Sequence, residues 1–454
     1  MSAIPQPRAV ALSPARALLL ARALPRVSTS LAVAGATVVS LTPSLLPRSP
    51  VVQGVLTGIL VAASWGAAAA LGRLRHRSVA APVPRAVAVL AGVSTVVWSV
   101  ASADHWQNAL RSAMALPAAG ATHWAQVGFW AVAVCLLAFG ITRGVAKGVR
   151  RLGPLRVAAL AGVAVPLLGL VAAPATVSAA TQHFRTASSV VDPSLVARQS
   201  DSLVPWSSLG VEGRRFVAGV SDTRSVRTYV GLDSAPDVDA RAALAVRELD
   251  RAGGFARGHV VVAVPTGSGW IDGEAARGIE RRFDGDVATV GQQYSYAPSW
   301  WTFLFGRADA ERSARALFTA VSEHVAAMPA DTRPALHVYG QSLGSLGGSA
   351  IFADDAARER TCSVLWAGPP AGAVDVGRGT AVLANTSDPV VWWSPELATN
   401  PPDLSRARVD APVPQWIPFA SFVQTTVDLV FSLDAPTGHG HRYGEDQGLS
   451  MPRC

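Results

Sequence analysis

Three residue types, in one chain order, are equipped for nucleophilic acyl chemistry. Ser342 lies in Gly340-Gln341-Ser342-Leu343-Gly344, Asp388 follows in Ser387-Asp388-Pro389, and His439 and His441 follow in Gly438-His439-Gly440-His441. The gaps are 46 residues from serine to aspartate (388 − 342) and 51 from aspartate to His439 (439 − 388). A serine hydroxyl is a poor nucleophile near neutral pH. An imidazole that takes its proton on attack and returns it to the leaving group makes it competent, while a carboxylate fixes the imidazole's tautomer. One of the two histidines must be a bystander. His439, between two glycines, suits a loop that swings an imidazole toward the serine and is the preferred base. His441 is the alternative, and its other reading is to dock the loop. The tetrahedral oxyanion also needs backbone donors. Leu343 N–H, directly after the serine, offers one, and the run Thr266-Gly267-Ser268-Gly269-Trp270 offers a second through Gly267 or Ser268.

A glycine–serine–glycine pentapeptide is a weak signal in a chain with 40 glycines, so the surrounding elements must carry the argument. Residues 336–339 read as a short apolar strand and 346–357 as the helix after it. Strand, sharp turn and helix is the order that lifts a serine hydroxyl clear of a sheet. Further strands are expected at 227–232, 259–264, 287–291, 363–367 and 381–385, with helices at 238–251, 273–283 and 310–328. Strands alternating with helices argue for a mostly parallel sheet covered by helices. Asp388 then falls just past a strand end, and the histidines fall in a loop near the end of the chain. His337 reads as a core histidine, and Asp354 and Asp355 as solvated. The aromatic, nearly uncharged stretch 294–305 reads either as core or as an acyl-chain wall or lid.

The first part of the chain is of another kind. Half of the 454 residues are hydrophobic and only 15% are charged, too apolar for an ordinary soluble enzyme of this length. Five apolar segments, at 27–46, 51–71, 83–103, 124–142 and 155–173, each have about the 20 residues that cross a hydrocarbon core of about 30 Å. Basic residues between them alternate. Arg8, Arg16, Arg22 and Arg26 precede the first segment, Arg48 follows it, and Arg73, Arg75, Arg77 and Arg85 follow the second. Only Arg111 follows the third, then Arg143, Lys147, Arg150, Arg151 and Arg156 follow the fourth. This positive-inside pattern predicts a cytoplasmic N-terminus, five crossings and an extracytoplasmic second half. Trp98, Trp106, Trp124 and Trp130 read as interfacial anchors, and Asp104 and His105 as groups at a wetted helix end.

The partition is therefore a multi-span α-helical membrane domain over 1–175, a connector over 176–215, and an α/β domain with a mostly parallel sheet over 216–454. The net charge of +8 rests on arginines beside apolar segments, with Lys147 the one lysine, which argues against a nucleic-acid partner and for the lipid bilayer. Cys362 and Cys454 both fall in the half assigned to an oxidising compartment, where they are free to pair; Cys135 lies in an apolar segment. No cysteine and histidine spacing suggests a metal, and no cofactor is expected.

The second half resembles the α/β-hydrolase superfamily, and the whole chain is similar to bacterial membrane-anchored α/β-hydrolases that join a multi-span N-terminal domain to a C-terminal catalytic domain. The likeness rests on Gly340–Gly344, the 266–270 run, residues 293–300, Ser387-Asp388-Pro389-Val390-Val391-Trp392-Trp393 and residues 438–443. It implies a serine hydrolase or a related acyltransferase, using no cofactor, on an ester or lipid-like substrate. A non-catalytic receptor or assembly factor on the same fold is the rival reading, because fold does not fix function.

Overall fold

A computed structural model describes residues 24–74, 82–169, 173–195, 201–220 and 224–454. The chain divides into two compact units, one of residues 1–157 with 414–424 and one of 158–413 with 425–454. The boundary between them falls at 157/158, ahead of most of the fifth apolar segment. The helix Ala173–Ser189, expected within a connector, is counted with the second unit, and a short return of the chain at 414–424 is counted with the first.

The first unit is helical, with helices Val27–Ser40, Pro50–Leu74, Pro82–Ala113 and Ala121–Leu152. Among the described residues, three helices are long and apolar enough to cross a membrane: the second, third and fourth of these. The first expected crossing is a helix of 14 residues that ends at Ser40, ahead of Pro43. At 1.5 Å per residue it covers about 21 Å, short of a core of about 30 Å. The fifth expected crossing begins as a second helix of 14 residues, Pro154–Leu167, with Pro166 inside it. Arg8, Arg16, Arg22, Arg75 and Arg77, on which the charge alternation partly rests, lie outside the described residues.

Small residues set the helix spacing in this unit. A Cβ on Gly54 would lie 2.6 Å from Trp130 Cβ, and one on Gly58 would lie 2.7 Å from Val134 Cβ. The Gly54-x-x-x-Gly58 face thus lets Pro50–Leu74 approach Ala121–Leu152 closely, as small-residue stripes do between membrane helices. One end of the unit gathers the polar groups of the turn at 41–49. Arg48 N–H donates to Gln107 Oε1 (2.9 Å), Trp106 Nε1 to Ser44 O (2.9 Å) and Arg111 to Arg48 O (2.9 Å).

The second unit is built on a seven-stranded, wholly parallel sheet with strand order β1-β3-β2-β4-β5-β6-β7. The strands are β1 Val226–Val230, β2 His259–Val264, β3 Val287–Gln292, β4 Ala335–Gln341, β5 Ser363–Ala367, β6 Thr380–Asn385 and β7 Ala407–Arg408. The apolar run of β2, Val260 to Val264, is almost wholly buried, which is why it is continuous rather than alternating. Helices Val238–Arg251 and Arg307–Ala327 pack on each other, as do Gly273–Arg282 and Asp446–Leu449. The expected helix over 346–357 is instead Leu343–Ser349, a 3-10 turn Ala350–Ala353 and a separate short helix Asp355–Glu359, capped by Asp354.

Candidate active site

Four consecutive strands of this sheet deliver the candidate residues to their C-terminal ends. β4 leads directly into Ser342, whose φ of 53° and ψ of −124° put a non-glycine residue in left-handed backbone. Such strain persists only where neighbours impose it. The neighbours here are backbone atoms: a Cβ on Gly340 would lie 2.5 Å from Gly344 O, and one on Gly344 would strike Val264 O. Ser342 N–H donates to Ala367 O at the end of β5 (2.9 Å), which ties the elbow to the next strand. The helix after the elbow packs on the core through Gly348, where a Cβ would lie 2.8 Å from the Trp366 ring.

The candidate acid, Asp388, lies past β6. Asp388 is fully buried and caps the short helix Pro389–Trp392, with Oδ1 accepting from Val390 N–H (2.8 Å). Its Oδ2 accepts from His441 Nδ1 (2.7 Å) and from the Tyr443 hydroxyl (2.5 Å). Burial, and then the adjacent Asp388 carboxylate, push the Tyr443 phenol well above its ordinary pKa, so it stays a donor. Gly368, the residue after β5, has φ of 50°, and a Cβ on it would lie 2.8 Å from both Asp388 Oδ2 and His441 Cε1. Only a residue without a side chain leaves room there for the Asp–His pair.

Asp388 therefore takes His441, not the preferred His439. His439 Nδ1 faces Asp410 Oδ2 at 3.1 Å, just past the short strand β7. Asp410 also accepts from Ser387 N–H (3.0 Å) and from the Ser387 hydroxyl, whose oxygen in turn accepts from Gly440 N–H (2.8 Å). Asn385 Nδ2 donates to Gly440 O (2.9 Å). The preferred candidate His439 thus pairs with Asp410, and the alternative His441 pairs with Asp388. Glycine flexibility did not decide the matter: Gly438 and Gly440, with φ of 92° and 55°, turn the chain so that alternate imidazoles face different carboxylates.

The serine and the histidine are brought to one corner of the sheet. Gln341, the residue before Ser342, donates through Nε2 to His441 O (3.3 Å), while Tyr339 OH and Gln447 extend that buried chain to Asp272. Among the described residues, no hydrogen bond joins the Ser342 hydroxyl to either imidazole; such bonds often close only when substrate is bound.

The first turn of a helix leaves its leading amides without intrahelical acceptors, and Leu343 N–H is one of these. The end of β2, from which the 266–270 loop departs, abuts the elbow where Gly344 meets Val264 O. Inside that loop Thr266 N–H donates to Trp270 O and Gly269 N–H to Thr266 O, each at 2.9 Å. Among the described residues, the amides of Gly267 and Ser268 make no hydrogen bond within this turn, and Gly267 lies so near Ala297–Ser299 that a Cβ would lie 2.7 Å from Ala297 O. The aromatic stretch continues as the helix Ser299–Phe305, with Thr302 buried and Trp300, Leu304 and Phe305 exposed. Both readings of that stretch meet in this one helix, because a buried side faces inward and an apolar side faces out. Phe303 packs edge-on against Trp393, just past the acid's helix.

Tyr443, Asp410, Ser387 and Gln341 were not singled out from the sequence. The only signal for Asp410 in the sequence is a second carboxylate to match the second histidine, with no periodic strand before it to place it. Among the described residues, His337, Cys362 and Cys454 place donor atoms within 4.8 Å of one another. That is poor metal chemistry, because both sulfurs are joined in a disulfide and the His337 nitrogens face Ser363 Oγ (2.7 Å) and His259 (3.0 Å).

A parallel sheet with a strained serine after β4 and a buried Asp–His pair past β6 defines the class of α/β-hydrolase folds. Residues 226–382 and 375–450 match the model of an alpha/beta-hydrolase family, and residues 41–220 match the model of that family's N-terminus. The chain belongs to this alpha/beta-hydrolase family. No curated protein matches it.

Proposed function

We propose that this protein is a membrane-anchored serine hydrolase that cleaves an ester or lipid-like acyl compound through a Ser342–His441–Asp388 triad. The observation that carries this reading is the buried 2.7 Å contact between Asp388 Oδ2 and His441 Nδ1, set beside a serine in left-handed backbone. With Nδ1 committed to Asp388, Nε2 is the nitrogen that takes the Ser342 proton as Oγ attacks the substrate carbonyl. The imidazolium returns that proton to the departing alcohol, leaving an acyl-serine. Water, deprotonated by the same nitrogen, then releases the acid and restores the serine. Leu343 N–H and an amide of Gly267 or Ser268 receive the oxyanion, each donor being worth about 3 kcal/mol in the transition state. The exposed Trp300, Leu304 and Phe305 support an apolar, lipid-like substrate.

The catalytic half acts outside the cytoplasm. The arginine alternation supports this, and so does the Cys362–Cys454 disulfide, with its Cα atoms 5.1 Å apart, which belongs to an oxidising compartment. Labelling the full-length protein with a fluorophosphonate tests the chemistry. A single adduct on Ser342, lost in Ser342→Ala, is expected. A folded protein that takes no adduct, or one whose adduct survives that substitution, would leave a non-catalytic hydrolase fold.

A further inference from the structure

The return of the chain at 414–424 is not used by the mechanism, and its chemistry differs from that of the unit it leaves. From Ala411 to Val427 there is no charged side chain, between Asp410 and Asp428. Residues 414–424 belong with the helices of the first unit. Gln424 is buried and anchors the segment. Its Nε2 donates to Val39 O (2.7 Å) and Thr42 Oγ1 (2.8 Å), at the end of the first helix. Its own carbonyl accepts from Arg48 (2.9 Å), two residues before the helix Pro50–Leu74 begins. The segment is therefore fixed at the end of the helical unit that carries the 41–49 turn.

That end has the marks of a membrane–water boundary. Trp106 and Trp124 both lie there, with their indole N–H groups satisfied by Ser44 O (2.9 Å) and Asp104 Oδ1 (2.6 Å). Tryptophans so placed form the aromatic belts of membrane proteins. Trp416-Ile417-Pro418-Phe419 joins them. Ile417 is 39% exposed and Phe419 67% exposed. Phe419 is also held at φ of 59°, a left-handed conformation that costs a bulky residue energy. Ser421 Oγ accepts from Ile417 N–H (2.8 Å) and fixes the turn. A strained backbone that turns a large apolar ring outward, at a tryptophan-lined helix end, requires something apolar outside it.

We propose that residues 416–419 are an interfacial wedge that inserts into the lipid bilayer, a second membrane attachment contributed by the C-terminal half of the chain. The occupant is the headgroup–acyl boundary of the leaflet that borders the 41–49 turn. The segment is bounded by Val413 and Thr425, which are counted with the second unit.

The test uses full-length protein carrying Cys135→Ala, which removes the free thiol and leaves the disulfide intact. Ile417→Cys and Phe419→Cys are nitroxide-labelled separately and reconstituted in nanodiscs of phosphatidylcholine with phosphatidylglycerol. Leu136→Cys, exposed on a membrane-length helix, and Glu396→Cys, exposed on the second unit, are the references. Collision with dissolved oxygen is measured against collision with a water-soluble nickel chelate. Both wedge positions should show an oxygen-to-nickel ratio severalfold above that of Glu396→Cys, toward that of Leu136→Cys. A ratio equal to that of Glu396→Cys at either position overturns the wedge. Shielding from both reagents marks a protein-covered face and overturns it equally.

Discussion

Exchanging the fates of His439 and His441 is the sharpest test of the catalytic reading, because the two imidazoles are two residues apart and face different carboxylates. His441→Ala removes the proposed base. Positioned acid–base catalysis contributes about 10²–10⁴-fold, and loss of a triad member that works as a unit costs up to about 10⁶-fold. His439→Ala removes one hydrogen bond to the Asp410 carboxylate and leaves the Ser387 bonds to Asp410 and to Gly440 in place. A hydrogen bond to a charged group is worth about 1.5–3 kcal/mol. If that whole cost appeared as misplacement of His441, kcat/KM would fall about 10- to 150-fold, and the surviving Ser387 bridge holds it to the lower end. The assay is p-nitrophenyl ester turnover together with the rate of fluorophosphonate capture. His441→Ala should approach Ser342→Ala in both, while His439→Ala should keep the adduct at a reduced rate. An inert His439→Ala, or a His441→Ala that turns over at the rate of its neighbour's variant, would refute the assignment.

Two further outcomes follow from the second unit. Replacing Cys362 and Cys454 by serine opens a loop with a sequence separation of 92 residues and should cost about 2–4 kcal/mol, read as a lower thermal midpoint; two free thiols found in the native protein by mass mapping would remove the premise. Burial, reinforced by His259, holds the His337 imidazole down to about 3, against about 6.5 in an unfolded chain. Between these values the unfolded chain binds a proton that the folded one refuses. Stability therefore rises with pH across the window and is lost as pH falls from about 6.5 toward 3, by at most about 1.4 kcal/mol per unit. His259, lowered by burial as well, acts in the same direction. Denaturant midpoints should decline over that window and decline less steeply in His337→Gln; equal slopes for the two proteins would refute the account.

What the sequence made legible follows the range of the forces involved. β2 and β5 lie where the apolar runs put them, and the helix Val238–Arg251 keeps its expected bounds, because apolar periodicity and the Asp237 cap are local. The elbow was legible for the same reason: Gly340 and Gly344 answer to backbone atoms a few residues or one strand away. β7 is two residues long and carries no periodicity, so the place of Asp410 past its end could not be read. The choice between His439 and His441 needed that place. With Asp388 alone in view, either imidazole fits one carboxylate; with Asp410 beside it, the two pairs assign each other.

The membrane half shows the converse failure. Hydropathy finds apolar segments but does not say where a helix stops, and the helix Val27–Ser40 stops before Pro43, with Gln53 Nε2 taking up Ser40 O (2.8 Å) and Gln424 adding a second bond to it at 3.2 Å. A carbonyl satisfied by side chains from positions 53 and 424 cannot be anticipated from a window of about 19 residues. Among the described residues, the segment drawn by hydropathy over 27–46 is a 14-residue helix followed by a turn. The charge pattern does not depend on a count of crossings at the described positions. Arg26 donates to Gly72 O and Arg85 to Leu24 O at one end of the helices, while Arg48 and Arg111 are bonded together at the other. The paired arginines are thus held at the end where Gln424 is anchored. Arg26 and Arg85 are held at the opposite end of these helices.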